Sequence, residues 1–384
     1  MRKVKLSTSA LKPLKSGHLW VYQTEVENPR EELNGELVPV ESVKGDFIGW
    51  GFYSYHSKIA LRMISFAPEV PDREFFRQKI LRAKERRKEL GEKNSAFRLI
   101  NAEGDFFPGL IADFYAGQLV IQCLIPGTDK IKEILAELFW EEFKPEGIWF
   151  RNDARSRELE GLALEVHFWK GEKKNPVEIK EGELWFLVDL EKGHKTGLYL
   201  DQKENHLRAK KWAKASCLDL FSYQGGFALH LAEQAEKVLA VESSSAMVEI
   251  LEENARRNQV KNLEVIRANV FEFLKESKEE KFDLIIIDPP PFARSKKDLA
   301  SARKGYLDLN RRAIELLKPG GILITYSCSY HFQFSDFFQT LARALAQAGR
   351  AGIVKELHTQ SSDHPYLFNL PETWYLKGFV VEVS

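Results

Sequence analysis

Cys217-Leu-Asp-Leu-Phe-Ser-Tyr-Gln-Gly-Gly-Phe227 and Asp283-Leu-Ile-Ile-Ile-Asp-Pro-Pro-Pro-Phe292 decide how this chain folds. Each begins as a short apolar run and ends in residues that break regular structure, the pattern of a strand buried on both faces. The same beat repeats around them. Val238-Leu-Ala-Val-Glu242 leads into a helical stretch over 246–258, and Leu263-Glu-Val-Ile-Arg267 into a short helix. A helix over 309–317 stops at Pro319-Gly-Gly321, ahead of the apolar run Gly321-Ile-Leu-Ile-Thr-Tyr-Ser327. This alternation predicts an α/β, Rossmann-like, doubly wound parallel sheet with helices on both faces.

Upstream the pattern changes. Leu37-Val-Pro-Val-Glu-Ser-Val43 and Phe47-Ile-Gly-Trp-Gly-Phe-Tyr53 are β-rich, and Gly35, Gly45, Gly49 and Gly51 punctuate them. A small β-barrel with bulges or tight corners at glycines is expected. Phe75, Phe76, Ile80, Leu81 and Ala83 then recur at helical spacing, predicting a helix over 73–90 ended by Gly91. Strand runs at Phe97–Ile100, Leu119–Ile125 and Gly147–Arg151 enclose a helix expected over 129–143, capped by Thr128 or Asp129. The polar segment Lys170-Gly-Glu-Lys-Lys-Asn-Pro176 closes this α+β region. The expected domains are therefore residues 1–70, 71–175 and 176–384.

Composition narrows the function classes. The chain has 384 residues, 44% of them apolar, which excludes a disordered chain and suits two or three domains. No apolar run reaches the ~18 residues of a membrane span, so no membrane partner is expected. The N-terminus shows no secretory pattern. The 3 cysteines, Cys123, Cys217 and Cys328, form neither a disulfide framework nor a metal-ligand spacing. A reducing, cytoplasmic location and no metal are expected. Lys plus Arg and Asp plus Glu balance at 56 each, so any polyanion contact must be local. Residues 1–17 carry Arg2, Lys3, Lys5, Lys12 and Lys15 without an acidic side chain, and residues 77–93 are also strongly basic. Both suit a phosphate backbone, and both suit a solvated face.

In doubly wound sheets, ligands bind beyond the carboxyl ends of the strands. Asp219-Leu-Phe-Ser222-Tyr-Gln-Gly225-Gly226 places a glycine pair between strand and helix, which lets a ligand approach backbone. The third glycine of a dinucleotide loop is missing, which disfavours a nicotinamide oxidoreductase and suits S-adenosylmethionine better. Glu242 ends the next strand, where a carboxylate can accept from ribose hydroxyls, or simply start a helix. Asn269 can bond an adenine edge or serve as an N-cap. Asp288-Pro289-Pro290-Pro291-Phe292 offers a rigid shelf of oxygens and an aromatic ring, suited to a base amine and base stacking. Ser327-Cys328-Ser329 ends the fifth strand, where a lone cysteine is either small core filling or a nucleophile.

Together these segments resemble the RlmI-type 23S rRNA cytosine-5 methyltransferases, a family of class I S-adenosylmethionine-dependent enzymes. The resemblance runs from Leu14-Lys-Ser-Gly-His-Leu-Trp-Val-Tyr22 through Arg151-Asn-Asp-Ala-Arg-Ser-Arg-Glu-Leu-Glu-Gly161 and Gly193-His-Lys-Thr-Gly-Leu-Tyr-Leu-Asp-Gln202. It continues through the proline shelf and Ser-Cys-Ser to Asp363-His-Pro365 and Trp374-Tyr-Leu-Lys-Gly-Phe379. It implies an N-terminal PUA-type RNA-binding barrel, a middle α+β domain and a C-terminal methyltransferase. It also implies that Thr196, Asp201 and Gln202 line the cofactor site, and that the partner is RNA, with 23S rRNA the expected substrate and a homodimer left open. Relatives tend to carry Asp where Asn269 stands, and vary at Pro291.

The chemistry expected of such a site is covalent. A Cys328 thiolate adds to carbon 6 of cytosine, and carbon 5 becomes nucleophilic enough to take a methyl group. Asp288 holds the base as charge develops, with Pro289, Pro290 and Phe292 around it. Asp363 and His364 are candidates for the base that removes the carbon-5 proton, although Asp-His-Pro also reads as a turn. An extruded or unpaired cytosine is required. Trp20, Tyr22, Phe52 and Tyr53 can grip RNA, although most such aromatics fill barrel cores. Two rivals remain: a methyltransferase acting on the exocyclic amine of adenine or guanine, and a non-catalytic RNA-binding ribosome-assembly protein.

Overall fold

The computed structural model describes residues 2–93, 95–277, 281–293 and 295–384. The chain divides into two compact units. The first contains residues up to Lys180 with Val188–Leu200 and Asp363–Thr373; the second contains Glu181–Leu187, Asp201–Ser362 and Trp374–Ser384.

The first unit holds two sheets. Val4–Leu6, Trp20–Tyr22, Val26–Glu27, Leu37–Ser42, Phe47–Tyr53 and Ile59–Ser65 form a mixed six-stranded sheet. Its pairing slips between Trp50 and Gly51, so one expected glycine irregularity is present. Gly49 is there for a different reason: a Cβ at that position would run into the Ser65 carbonyl, so only glycine lets the neighbouring strand lie so close. Ala96–Asn101, Leu110–Tyr115, Gln118–Cys123, Gly147–Asn152 and Glu165–Gly171 form the second sheet, of five strands.

Two helices expected to be continuous are broken. The 73–90 stretch is Arg73–Arg86 followed by Lys88–Lys93, with Gly91 inside the second piece rather than ending the first. The break falls at Arg87, whose guanidinium is buried on both carboxylate oxygens of Asp105 and on the carbonyls of Arg98 and Asp363. The 129–143 stretch is Pro126–Lys130 and Lys132–Phe143, joined at Ile131. Thr128 does not cap it; its hydroxyl donates to the carbonyls of Gly109 and Ile125.

The second unit is built on one seven-stranded sheet: β1 (Ser216–Leu220), β2 (Lys237–Glu242), β3 (Leu263–Arg267), β4 (Phe282–Ile287), β5 (Leu317–Ser327), β6 (Gly352–His358) and β7 (Lys377–Val383). Their spatial order is β3-β2-β1-β4-β5-β7-β6. The first five strands run parallel, as expected. β7 does not: it is antiparallel to both β5 and β6, and corrects the expectation of an all-parallel sheet. No α-helix lies between β6 and β7, and a return without a crossover yields antiparallel pairing. The helix expected over 309–317 begins earlier, at Leu299.

β4 shows why these strands read as unbroken apolar runs. Ile285 and Ile287 pack into one core with Leu309, Phe337 and Val381, while Leu284 and Ile286 pack into the other with Phe227 and Tyr326. Burial on both faces removes the polar alternation of a half-exposed strand.

The first unit adds a buried ion pair. Arg98 meets Asp113 through two bonds of 2.7 and 2.8 Å, and Thr196 donates to the same carboxylate. Asp113→Ala leaves this guanidinium without its counter-charge and should cost about 3–5 kcal/mol, read as a lower urea midpoint for that unit.

Candidate active site

The strand order reverses between β1 and β4, which opens a crevice at their carboxyl ends. Asp219 stands there, buried. One oxygen accepts from the Ala228 N–H at 3.0 Å, fixing the start of the helix Gly226–Ala232. The other, Oδ1, is buried with no hydrogen-bond partner. Burial, with Asp288 and Glu242 nearby, pushes this carboxyl up to about 8. Ser222 folds back on the Asp219 carbonyl at 2.8 Å and shapes the turn. Gly225 has φ +90°, which only glycine adopts without strain. Gly226 answers to something the sequence did not reveal: a Cβ there would strike the His206 imidazole.

His206 belongs to a buried triad. Glu181 Oε1 lies 2.7 Å from the Nδ1 of His206 and 3.1 Å from the Nε2 of His230. Burial opposes its charge, yet the two imidazoles hold the Glu181 carboxyl down to about 2. The glycine turn is thereby braced from behind by residues 181, 206 and 230.

The same bracing brings the Asp201–His206 segment against the turn. Gln202 Oε1 accepts from Asn205 at 2.7 Å, and Asn205 also donates to the Thr359 carbonyl at 2.9 Å. Gln202 Nε2, Asn205 Oδ1 and Gln224 Oε1 remain buried without hydrogen-bond partners, as does Asp219 Oδ1. Buried polar atoms left unpaired are rare, and a group of them at one strand edge fits a polar ligand carrying both donors and acceptors. Asn205 and Gln224 had no sequence signal beyond lying beside the expected residues. Asp201 accepts from the Tyr375 hydroxyl at 2.6 Å.

At the end of β2, Glu242 accepts from the N–H groups of Tyr223, Ser243 and Ser244 at 2.7 to 3.0 Å. Those bonds fix its two oxygens and leave lone pairs for further donors. Asn269 is an N-cap: its Oδ1 accepts from the N–H of Phe271 at 2.9 Å, which leaves its amide N–H groups pointing elsewhere.

β4 and β5 end beside the crevice, at the expected proline shelf and cysteine. Asp288 is half-buried, Pro289 is buried, and Pro290 and Pro291 are exposed. The Cys328 Sγ lies 3.7 Å from the Pro289 carbonyl oxygen, so thiol and shelf share one edge. Cys328 is partly exposed, whereas Cys123 and Cys217 are buried. Its flanking serines are tied down. Ser327 and Ser329 each lie 3.0 Å from the Tyr306 hydroxyl, and Ser329 Oγ accepts from the Ala293 N–H at 3.1 Å. Phe292 lies in that frame, its ring packed 4.6 Å from Tyr306 and 6.1 Å from Phe271, which gives it a packing role the sequence reading lacked. A residue missed by sequence reasoning stands beside them: Lys377, buried, donating to the carbonyls of Ser329 and Tyr375 at 3.0 and 2.9 Å. A lysine opening a strand with the apolar run Phe379-Val-Val381 was the available signal.

Other expected residues lie in the first unit. Thr196 is buried there on Asp113 and Tyr115, at 2.6 and 2.9 Å, which accounts for its hydroxyl without a ligand. Asp363 accepts from the Arg98 N–H at 2.9 Å and lies 2.7 Å from His364 Nδ1, both buried. That is the turn account of Asp-His-Pro, not an exposed proton acceptor. Phe52 and Tyr53 are core, Trp20 donates to Glu103, and Tyr22 is the exposed member of the aromatic set. The basic stretch is partly neutralised, with Arg77 on Glu142 and Arg86 on Asp105. Among the described residues no helix is long and apolar enough to cross a membrane, and no His, Cys, Asp and Glu cluster could hold a metal ion.

Two family models match: a PUA-like domain over residues 4–66 and a methyltransferase domain over residues 212–368. The structure of a candidate methyltransferase complexed with SAH aligns over 100% of both chains with a TM-score of 0.88 at 23% identity. A candidate SAM-dependent methyltransferase from Streptococcus mutans aligns over 100% of both chains with a TM-score of 0.86 at 22% identity. At that identity the likeness speaks for the fold. In sequence, the chain is 37% identical over 381 residues to ribosomal RNA large subunit methyltransferase I of Aeromonas salmonicida, covering 96% of each. It is 38% identical over 392 residues to the protein of that name from Shewanella amazonensis, covering 99% of each. With relatives this similar along nearly its whole length, the chain belongs to the ribosomal RNA large subunit methyltransferase I family.

Proposed function

We propose that this protein transfers a methyl group from S-adenosylmethionine to carbon 5 of a cytosine in RNA, with 23S rRNA as substrate, through a covalent adduct at Cys328. The observation that carries the reading is the position of its thiol, 3.7 Å from the Pro289 carbonyl at the edge that also holds Asp288. A methyltransferase acting on an exocyclic amine needs the acid and the shelf but no thiol there.

The residues present fit the methyl donor. Asp219 Oδ1, Asn205 Oδ1 and Gln224 Oε1 are buried acceptors, and Gln202 Nε2 is a buried donor, all without hydrogen-bond partners. Asp201 and Ser222 shape this wall, Gly225 and Gly226 let backbone come close, and Glu242 suits paired ribose hydroxyls. Asn269 can donate its amide to a base edge. S-adenosylmethionine supplies an electrophilic methyl on a sulfonium.

The chain's own groups do the rest. Cys328 loses its proton, and its sulfur forms a bond to carbon 6, leaving carbon 5 electron-rich. Asp288 and the shelf carbonyl hold the base through its amine and ring nitrogen while charge shifts. After carbon 5 has gained the methyl, a base takes its proton, the carbon 5–carbon 6 double bond re-forms and the carbon–sulfur bond breaks, returning the thiolate. The base must leave its stack to reach this edge.

Cys328→Ala should abolish methylation and leave donor affinity within a few-fold. Nucleoside mass spectrometry of RNA lacking native modifications reads the product. A methylated adenine or guanine, made equally well by the variant, would sink the proposal.

Asp219 gives a second test. Its folded value, about 8, lies above the ordinary 3.8, so the proton it keeps stabilises the ligand-free fold. That contribution is complete below the ordinary value and is lost as pH rises toward 8. Asp219→Asn should therefore flatten stability against pH between 5 and 8 in urea melts. A cationic donor group at Oδ1 favours the charged carboxylate, so donor binding at pH 7 should release a proton. Calorimetry in buffers of different ionisation heat should detect it in the parent protein and not in the variant.

A further inference from the structure

We propose that Lys377 is the positioning residue for Cys328: its ammonium, held on the carbonyls of Ser329 and Tyr375, sets the thiol in its thiolate form for attack on the base. The inference rests on the covalent reading and deepens it.

The geometry begins with the sheet. β7 pairs antiparallel with β5, and Lys377 lies directly opposite Ser327, the residue before the thiol. Its amine reaches past that pair to the carbonyl of Ser329, the residue after the thiol, at 3.0 Å. The second bond, 2.9 Å to Tyr375 O, holds the side chain in place. Tyr375 is itself anchored by its hydroxyl on Asp201 at 2.6 Å. Lys377 is thus a buried cation strapped to the backbone just after the nucleophile and to its own segment at Tyr375, and neither of these two bonds is to a carboxylate. Two backbone carbonyls solvate an ammonium but do not neutralise it. A nearby thiolate does.

The charges bear this out. Burial pulls the Lys377 ammonium down to about 8, and Cys328 acts in the opposite direction. At neutral pH the lysine is still mostly protonated. By reciprocity, the cation that the thiolate favours also favours the thiolate. Among the described residues, Tyr306 and His358 add no cation here. Tyr306 stays neutral, pushed up to about 12 by burial and then by Cys328 itself. On β6, burial lowers His358, and Glu356 is drawn to Lys211 and His358. Asp288 and Asp201 are acids and would oppose a thiolate. A carboxylate-lined edge needs a cation if its cysteine is to ionise near neutral pH, and Lys377 supplies it.

The test is the pH dependence of Cys328 alkylation by iodoacetamide, followed by mass spectrometry on the full chain without RNA or methyl donor. Sulfur displaces iodide, so the rate follows the thiolate fraction. Cys123 and Cys217 are buried, and burial pushes both thiols up, so the signal belongs to Cys328. The parent midpoint should lie below the ordinary ~8.5. Lys377→Met should raise it by about one pH unit, slowing alkylation at pH 7 by roughly tenfold, with the high-pH plateau unchanged. Lys377→Arg keeps the charge and should restore most of the low midpoint. Should the methionine variant fail to fold, Lys377→Gln removes the charge while keeping a donor for the two carbonyls, and the same midpoint shift is required of it. A plateau that falls while the midpoint stays would mean a merely structural role and overturn the proposal, as would an unchanged curve. The midpoint is read without substrate, so it decides on Lys377 whichever base proves to be methylated.

Discussion

The Tyr306 hydroxyl is the knot on which the edge carrying Cys328 and the proline shelf depends. It bonds the serine on each side of Cys328, and Ser329 in turn takes the N–H of Ala293 from the loop after the prolines. Three segments are thereby held together: the end of β5, the loop leaving β4, and the long helix carrying Tyr306. Neutral hydroxyl bonds contribute only about 1 kcal/mol each, but buried bonds that share a partner are lost together. Their effect is positional. Strand ends are otherwise the least constrained part of a sheet, and this knot keeps a sulfur beside a carbonyl 3.7 Å away.

A second constraint works on the opposite side of the crevice. The Glu181, His206 and His230 triad fills the space behind Gly226, so the turn after β1 is pressed forward from its back. Glycine is required there because a Cβ would strike that imidazole. In front of the turn the situation is reversed. Asp219, Gln224, Gln202 and Asn205 each leave a buried polar atom unanswered. One wall is tied by carboxylate–imidazole bonds, and the other carries unmet hydrogen-bonding capacity. Such a division suits a binding site, because a ligand then completes bonds that the empty protein cannot make.

The antiparallel β7 is the structural novelty relative to a simple doubly wound sheet, and it has a chemical consequence. A parallel strand in that position would send its start to the opposite edge of the sheet. Running backwards, it delivers its first residue, Lys377, to the same edge as the carboxyl end of β5. The topology, rather than any local motif, thus brings a buried cation to the carbonyl of the residue after the thiol.

The sequence by itself determined the first five strands of the second unit's sheet and what stands at their ends. Apolar runs buried on two faces are local patterns, and Asp219, Glu242, Asp288 and Cys328 sit at or just beyond their carboxyl ends by simple counting. Leu263–Arg267 and Phe47–Tyr53 were legible to the residue. Tertiary structure decided everything that depends on a distant partner. Arg87 interrupts a helix because Asp105 and the Asp363 carbonyl claim its guanidinium, and the buried Asp363 carboxylate meets the Arg98 N–H and the His364 ring. Thr196 turns out to answer Asp113, and Lys377 acquires its place from strand direction. Periodicity records how a residue relates to its neighbours along the chain. Which carboxylate, carbonyl or ring it finally meets is set by the packing of segments far apart in sequence.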